Sequence, residues 1–443
     1  MKTFVWVSVA AVALTILGCN LDGKYTVGGT LTGLMGQGLV LEDNSGNSLS
    51  LSSNGAFVFS GSISNGDAYS VTVATQPSNP AQTCTVHNGS GTIDKANIVN
   101  VLVSCTQPGR FAYVANQGSN DLSAYLINSS TGLLTPMAGS PFASQGTTPV
   151  SLTVDPNGLF LYVVDNASND VSVYSIDNAT GQLAAVGVPV ATGTGPLAVA
   201  VDPTDTFLFV ANFGSNSVSA YTIDSTSGML TELNGSPFAV GSEPTSLKID
   251  PSGNFLYVTN FGSADVSVIA IDVATGTLSA VSGSPFGAGA GALSITFNPA
   301  GTFAYVANET AATISEYSVN ASTGGLTAVS GSPLAAGSSP ESLAINPMGS
   351  YLYAANVTSK NDVAAFSITP STGALTVVSG SAVGAGTFPI NIVLDASGLL
   401  AYVANEDSND ISVYTINTTT GMLTPAAGSP FAAGSQPRSI AID

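Results

Sequence analysis

The run Ser151-Leu152-Thr153-Val154-Asp155-Pro156-Asn157-Gly158-Leu159-Phe160-Leu161-Tyr162-Val163-Val164-Asp165 decides the fold of most of this chain. Its first four residues read as a short apolar strand. Asp-Pro-Asn-Gly follows, with Pro and Gly where a tight turn needs a preset φ and a left-handed residue. Residues 159–164 are almost wholly apolar, the composition of a strand buried on both faces. Further along, residues 166–170 form a polar loop, and Val171-Ser172-Val173-Tyr174-Ser175-Ile176 alternates as a half-buried strand. Asp177-Asn178-Ala179-Thr180-Gly181 is a hairpin turn, and Gln182-Leu183-Ala184-Ala185-Val186 an outer strand. The unit therefore has four strands, here called a to d.

The same unit recurs. Tyr113-Val114-Ala115-Asn116 has counterparts whose leading aromatics are Tyr162, Phe209, Tyr257, Tyr305, Tyr353 and Tyr402, spaced 47 to 49 residues apart. A period in the forties with four strands per unit predicts a β-propeller, here with seven blades over residues 108–443. The region opens on strand b (Phe111-Ala112-Tyr113-Val114) and ends on strand a (Ser439-Ile440-Ala441-Ile442). The last strand is therefore expected to complete the first blade and close the ring, which leaves no free sheet edge between blades.

Composition narrows the function. Of 443 residues, 27 are acidic and 7 basic, for a formal charge of −20; only 8% are charged, against about 25% usually. A nucleic-acid partner is excluded, because such proteins neutralise phosphates with clustered Lys and Arg. With 44% hydrophobic residues and a positive mean hydropathy, the chain is not disordered by composition.

Residues 1–18 read as an export signal: Lys2 is followed by an apolar run too short to span a bilayer comfortably. Its close, Ile16-Leu17-Gly18-Cys19, resembles the bacterial lipobox, which implies lipidation of Cys19 and a membrane attachment through lipid alone. Asn20 follows where Asp would favour inner-membrane retention, so the expected location is the outer membrane or cell surface. Removal of this segment takes away Trp6, the chain's single Trp, so any sugar stacking falls to Tyr or Phe. Two cysteines remain, Cys84 and Cys105. In an oxidising compartment they are expected to pair and close a loop of about 20 residues, worth roughly 3 kcal/mol. His87 is the only His, and no zinc-type spacing occurs; no metal centre or cofactor is expected.

Residues 19–107 alternate in the strand manner at Lys24-Tyr25-Thr26-Val27, Gly38-Leu39-Val40-Leu41, Ala56-Phe57-Val58-Phe59, Tyr69-Ser70-Val71-Thr72-Val73, Thr83-Cys84-Thr85-Val86 and Val99-Asn100-Val101-Leu102-Val103. Turn signals separate them, which predicts a small antiparallel β-sandwich. The pattern resembles small Ig-like or prealbumin-like modules, here read as a spacer. The fold class is thus all-β, a small Ig-like sandwich ahead of a seven-bladed β-propeller.

The consensus Pro-x-Ser-Leu-x-x-Asp-Pro-x-Gly-x-Phe-x-Tyr-Val-Ala-Asn, followed by Val-Ser-x-Tyr, resembles the lactonase-type seven-bladed propellers, which include 6-phosphogluconolactonase-like proteins and surface proteins with YVTN repeats. That resemblance implies one blade with Pro-Arg-His at the start of strand a and Asn-Glu at the end of strand b. Here Pro437-Arg438-Ser439 matches the Arg but has Ser439 in place of His, and strand b of the same blade ends Asn116-Gln117. Asn-Glu occurs in other blades, at Asn308-Glu309 and Asn405-Glu406. On this reading the acid, the base and the cation clamp are not assembled as in the family's enzymes.

Five positions break the repeat and are the candidate site residues. Counted back from the turn Asp or Asn, one level of strand a carries Val150, Leu197, Thr245, Leu293, Glu341, Ile390 and Arg438, a ring expected at the channel mouth. Glu341, Arg438 and Glu406 are the candidates for catalysis. Lys248 and Glu309 are candidates for binding; Lys248 points into the channel or neutralises a nearby acid. Glu341 and Arg438 either clamp a substrate or form a water-bridged pair. The Asn or Asp that ends strand b in every blade, and the Asp that precedes strand c in five, are expected to cap turns. The leading expectation is a non-catalytic binding or scaffold propeller at the cell envelope, monomeric, with an unidentified envelope or extracellular ligand, carbohydrate being one candidate class. The alternatives are a sugar lactonase, as the resemblance implies, and calcium-assisted carbohydrate binding through the acidic loops.

Overall fold

The computed structural model describes residues 23–443 except 35–36, 45, 78–81, 107–110 and 358–360. The signal segment and Cys19 lie outside the described residues. All elements among the described residues are strands, and the chain divides into two compact units between Cys105 and Thr106.

The first unit has two four-stranded sheets. One orders Gly55–Val58, Val27–Thr32, Ile98–Thr106 and Thr83–His87; the other orders Ser48–Leu51, Leu39–Asp43, Ala68–Thr75 and Ser90–Thr92. Val27, Leu31, Val101 and Val103 of the first sheet share one hydrophobic cluster with Leu39, Leu41, Tyr69 and Val71 of the second. One pairing departs from the antiparallel expectation. Ile98–Thr106 runs parallel to Val27–Thr32, with Val101 opposite Gly29. A side chain at Gly29 would collide with the Val101 carbonyl, so only glycine permits that approach. The Cys84–Cys105 disulfide joins neighbouring strands of a single sheet.

The second unit is the propeller. Blade 2 shows the pattern: strand a is Pro149–Val154, b Phe160–Asp165, c Asp170–Ile176 and d Leu183–Ala185, each antiparallel to the next. The return segment adds a two-residue strand, Val190–Ala191, on the other end of c. Blade 1 takes its strand a from the far end of the chain, where Pro437–Ile442 pairs with Phe111–Asn116. Ring closure by the last strand is thus as the repeat phase predicts.

Strand b explains why the blades pack. Every residue of Phe160–Asp165 is buried. Because side chains alternate, Tyr162 and Val164 join a cluster with blade 3, whereas Leu161 and Val163 join one with blade 1. The same division recurs around the ring, giving seven clusters, one at each blade–blade seam. At four seams the strand-b tyrosine donates to the carbonyl of a turn glycine in the next blade, as the Tyr257 hydroxyl does to Gly324 at 2.8 Å. Gly324 has φ +71°, and a Cβ there would stand 2.5 Å from the Phe255 ring, so this turn position admits little else.

Candidate functional site at the channel mouth

A backbone irregularity builds the site. In six blades the a–b register slips between the first and third residues of strand a, and in blade 6 between the second and fourth, Pro340 and Ser342. The residue skipped has no cross-strand partner. These bulged residues are Val150, Leu197, Thr245, Leu293, Glu341, Ile390 and Arg438. A β-bulge re-aims its side chain, and all seven line one cavity of about 170 Å³ at the end of the axial channel. The residues that follow them, mostly serines, form its floor.

Five bulged residues are apolar or neutral; the charge is concentrated on one arc. Arg438 donates from Nη1 to Glu406 Oε2 at 2.8 Å, with the two side chains 28% and 11% exposed. Glu406 begins the b–c loop of blade 7, and its amide is held by the Phe388 carbonyl. Arg438 belongs to blade 1, so the ion pair crosses the seam at which the ring closes. Arg438 and the Glu of Asn405-Glu406, which the sequence places in different blades, thus meet across that seam.

Glu341, on blade 6, is buried to the same degree as Glu406, at 9% and 8% exposure. It makes no ion pair with Arg438; that cation is held by Glu406. Burial pushes the Glu341 carboxyl up to about 7; Glu309 adds to the rise, Arg438 opposes it and Glu406 adds again. Glu309 accepts a 2.9 Å hydrogen bond from the Thr310 hydroxyl. A carboxyl that titrates near neutrality beside a fixed guanidinium can exchange a proton while a developing negative charge is stabilised next to it.

Blade 6 departs from its sisters. Strand b runs one residue longer, to Val357, and pairs with Ser339. The residue preceding the first strand-a position has positive φ at Thr148, Gly195, Glu243, Gly291, Phe388 and Gln436, in every blade but this one. The Pro-x-Ser pattern concealed both the bulges and this extension, because it is the same in a bulged and an unbulged strand.

Lys248 lies deeper, on the wall of the axial channel. The strand-b Asn residues tie strands rather than cap turns: Asn116, Asn260 and Asn405 each donate to the Asp and the Ser side chains of the adjoining strand c, at 2.6–2.9 Å. Asp121, Asp265 and Asp410 are thereby engaged. No group of three or more His, Cys, Asp or Glu placed to hold a metal ion occurs among the described residues.

The profile of the family described as Lactonase, 7-bladed beta-propeller matches residues 67–196, 154–249, 190–285 and 240–437. The chain belongs to this lactonase family. Solved structures agree in fold. A candidate 6-phosphogluconolactonase from Bacteroides uniformis ATCC 8492 is 23% identical, with a TM-score of 0.68 over 76% of this chain and 100% of its own. One from Bacteroides fragilis NCTC 9343 is 21% identical, with a TM-score of 0.67 over 75% and 97%. The Pseudomonas aeruginosa periplasmic gluconolactonase PpgL is 20% identical, with a TM-score of 0.65 over 75% and 98%. No curated protein matches the chain. In this lactonase propeller Ser439 stands where the resemblance implies His, and Glu341 offers the buried titratable group at the same mouth.

Proposed function

We propose that the protein hydrolyses a lactone, with Glu341 as general base and Arg438 as the cation that stabilises the oxyanion. The observation that carries this reading is the Arg438–Glu406 ion pair set beside a buried Glu341 that titrates near 7. In the reaction, water adds to the ester carbonyl while ionised Glu341 takes its proton. Arg438, fixed in orientation by Glu406, faces the negative charge that gathers on the carbonyl oxygen. The ring C–O bond then breaks, and protonated Glu341 returns the proton to the departing alkoxide, giving a hydroxy acid. The apolar arc of Val150, Leu197 and Leu293 supplies a low-dielectric wall that strengthens both interactions.

Purified protein assayed for proton release from a sugar δ-lactone, with Glu341→Gln and Arg438→Ala alongside, tests the reading. Turnover above the spontaneous rate that both variants lose supports it. A rate equal to the spontaneous one overturns it and favours the binding-module reading, which the absence of His from the propeller sequence supports.

Export and lipid anchoring through Cys19 complete the proposal. Their support is the Ile16-Leu17-Gly18-Cys19 tetrapeptide behind an apolar run. Incorporation of labelled palmitate that Cys19→Ala abolishes is the expected result; equal labelling of both forms overturns it.

A further inference from the structure

Beneath the mouth, the axial channel opens into a cavity of about 380 Å³ walled by strand a of every blade. Its lining includes one cation and no carboxylate. Lys248 stands on strand a of blade 4 with its side chain exposed to the interior of the channel, where the crowding of the surrounding wall lowers its ammonium pKa. It has no hydrogen-bond or ion-pair partner among the described residues. The nearest acid along its strand, Asp250, is committed to the Phe255 amide at 2.8 Å and to the Ser252 hydroxyl. An unpaired ammonium facing a channel whose lining holds no carboxylate offers uncompensated positive charge to an anion that enters.

The surroundings suit an anion. Ser246 on the same strand, with Ser294 and Thr296 on the next, lines the same cavity, and their hydroxyls make no hydrogen bond to protein among the described residues. Ser342 and Ser439 each accept a backbone amide of the neighbouring blade, from Ile392 and Leu152, which leaves their protons free to donate. We infer that the channel binds a small oxyanion, phosphate or carboxylate, with Lys248 as the charge partner and Ser246, Ser294 and Thr296 as donors. This site lies beneath the mouth and shares Ser246 and Ser294 with its floor. Lys248 is three residues further along the strand level than Arg438, roughly 10 Å at the rise of a β-strand.

The test is the thermal stability of the full chain titrated with inorganic phosphate or with acetate, against chloride at matched ionic strength. A saturable rise in Tm is expected, about 3–4 °C at a hundredfold excess over Kd. It should persist in Arg438→Ala and vanish in Lys248→Met; preference for phosphate or for acetate identifies the oxyanion. Should Lys248→Met not fold, Ser246→Ala with Ser294→Ala provides the second variant, expected to weaken the half-saturating concentration at least tenfold. No saturable rise with either anion, a rise kept in Lys248→Met or unchanged in the double Ser variant, or one lost in Arg438→Ala, overturns the inference. None of these readouts depends on lactone turnover.

Discussion

Arg438 and Glu406 are 32 residues apart in sequence, on different blades, and their side chains meet at 2.8 Å across the seam where the propeller closes. The pair fixes the guanidinium, and the guanidinium in turn opposes the rise of Glu341. The charges of Arg438 and Glu406 both act on Glu341, in opposite directions, and that sets the sign of the first prediction. Glu406→Gln removes a charge that raises Glu341, so the alkaline-rising limb of the hydrolysis profile should move to lower pH, while kcat falls because Arg438 is no longer held. Arg438→Ala should move the limb upward and cost about 100-fold in rate. pH–rate profiles of the three proteins decide this; a limb that stays in place in both variants removes Glu341 from the reaction.

Glu341 also governs stability. Its carboxyl titrates near 7 when folded, against 4.5 for the free group. Below pH 4.5 it is neutral in both states and costs nothing. As pH rises through 7 the unfolded chain has ionised freely while the native one resists, so stability is lost across that window, by about 2–3 kcal/mol. Glu341→Gln abolishes this dependence. The Tm difference between variant and parent should grow in the variant's favour from pH 4.5 to 8; a difference independent of pH would contradict the assignment.

Blade 2 carries Asp165 where the other six have Asn. Burial pushes its carboxyl up to about 6, the Ser172 and Ser144 hydroxyls oppose the rise, and Asp170 adds to it. Asp165→Asn should rebuild the Asn–Asp–Ser triangle of the sister blades, with Asp170 and Ser172 as acceptors. The variant is expected to be more stable by about 1–3 kcal/mol above pH 6, with the gain fading as pH falls toward 4. Denaturant melts at pH 4 and pH 8 measure it.

The strand-b tyrosines divide into two kinds. Tyr257 donates to Gly324, whereas the buried Tyr353 and Tyr402 hydroxyls have no partner. Tyr257→Phe leaves a carbonyl unsatisfied and should cost about 1–2 kcal/mol; Tyr402→Phe removes an unsatisfied group and should be neutral or stabilising. Phe209 shows that a blade accepts the change. Equal losses in the two variants would refute the distinction.

The propeller was legible because the Tyr-Val-Ala-Asn signal repeats in phase seven times and the termini offer complementary partial blades. The level of the mouth ring was legible too, by counting back from the turn Asp or Asn. The bulges were not: a slipped register leaves the apolar pattern of strand a unchanged, and only the skipped partners of Glu341 and Arg438 reveal it. The meeting of Arg438 with Glu406 was hidden for a different reason. Its Asn-Glu signature lies one blade away, and reach between blades is a property of ring curvature rather than spacing. For Lys248 the sequence left a choice between a channel cation and a neutraliser of a nearby acid, because neither the commitment of Asp250 to Phe255 nor the place of Lys248 in the channel lining is written in the residues nearby.

Closure by the strand Pro437–Ile442 ties the integrity of the ring to the chemistry of the mouth. Arg438 sits on the segment that also zips the first blade shut. Fraying of this one strand opens the wheel and withdraws the guanidinium together, so the loosest point of the ring and the charge at its hub share a single fate.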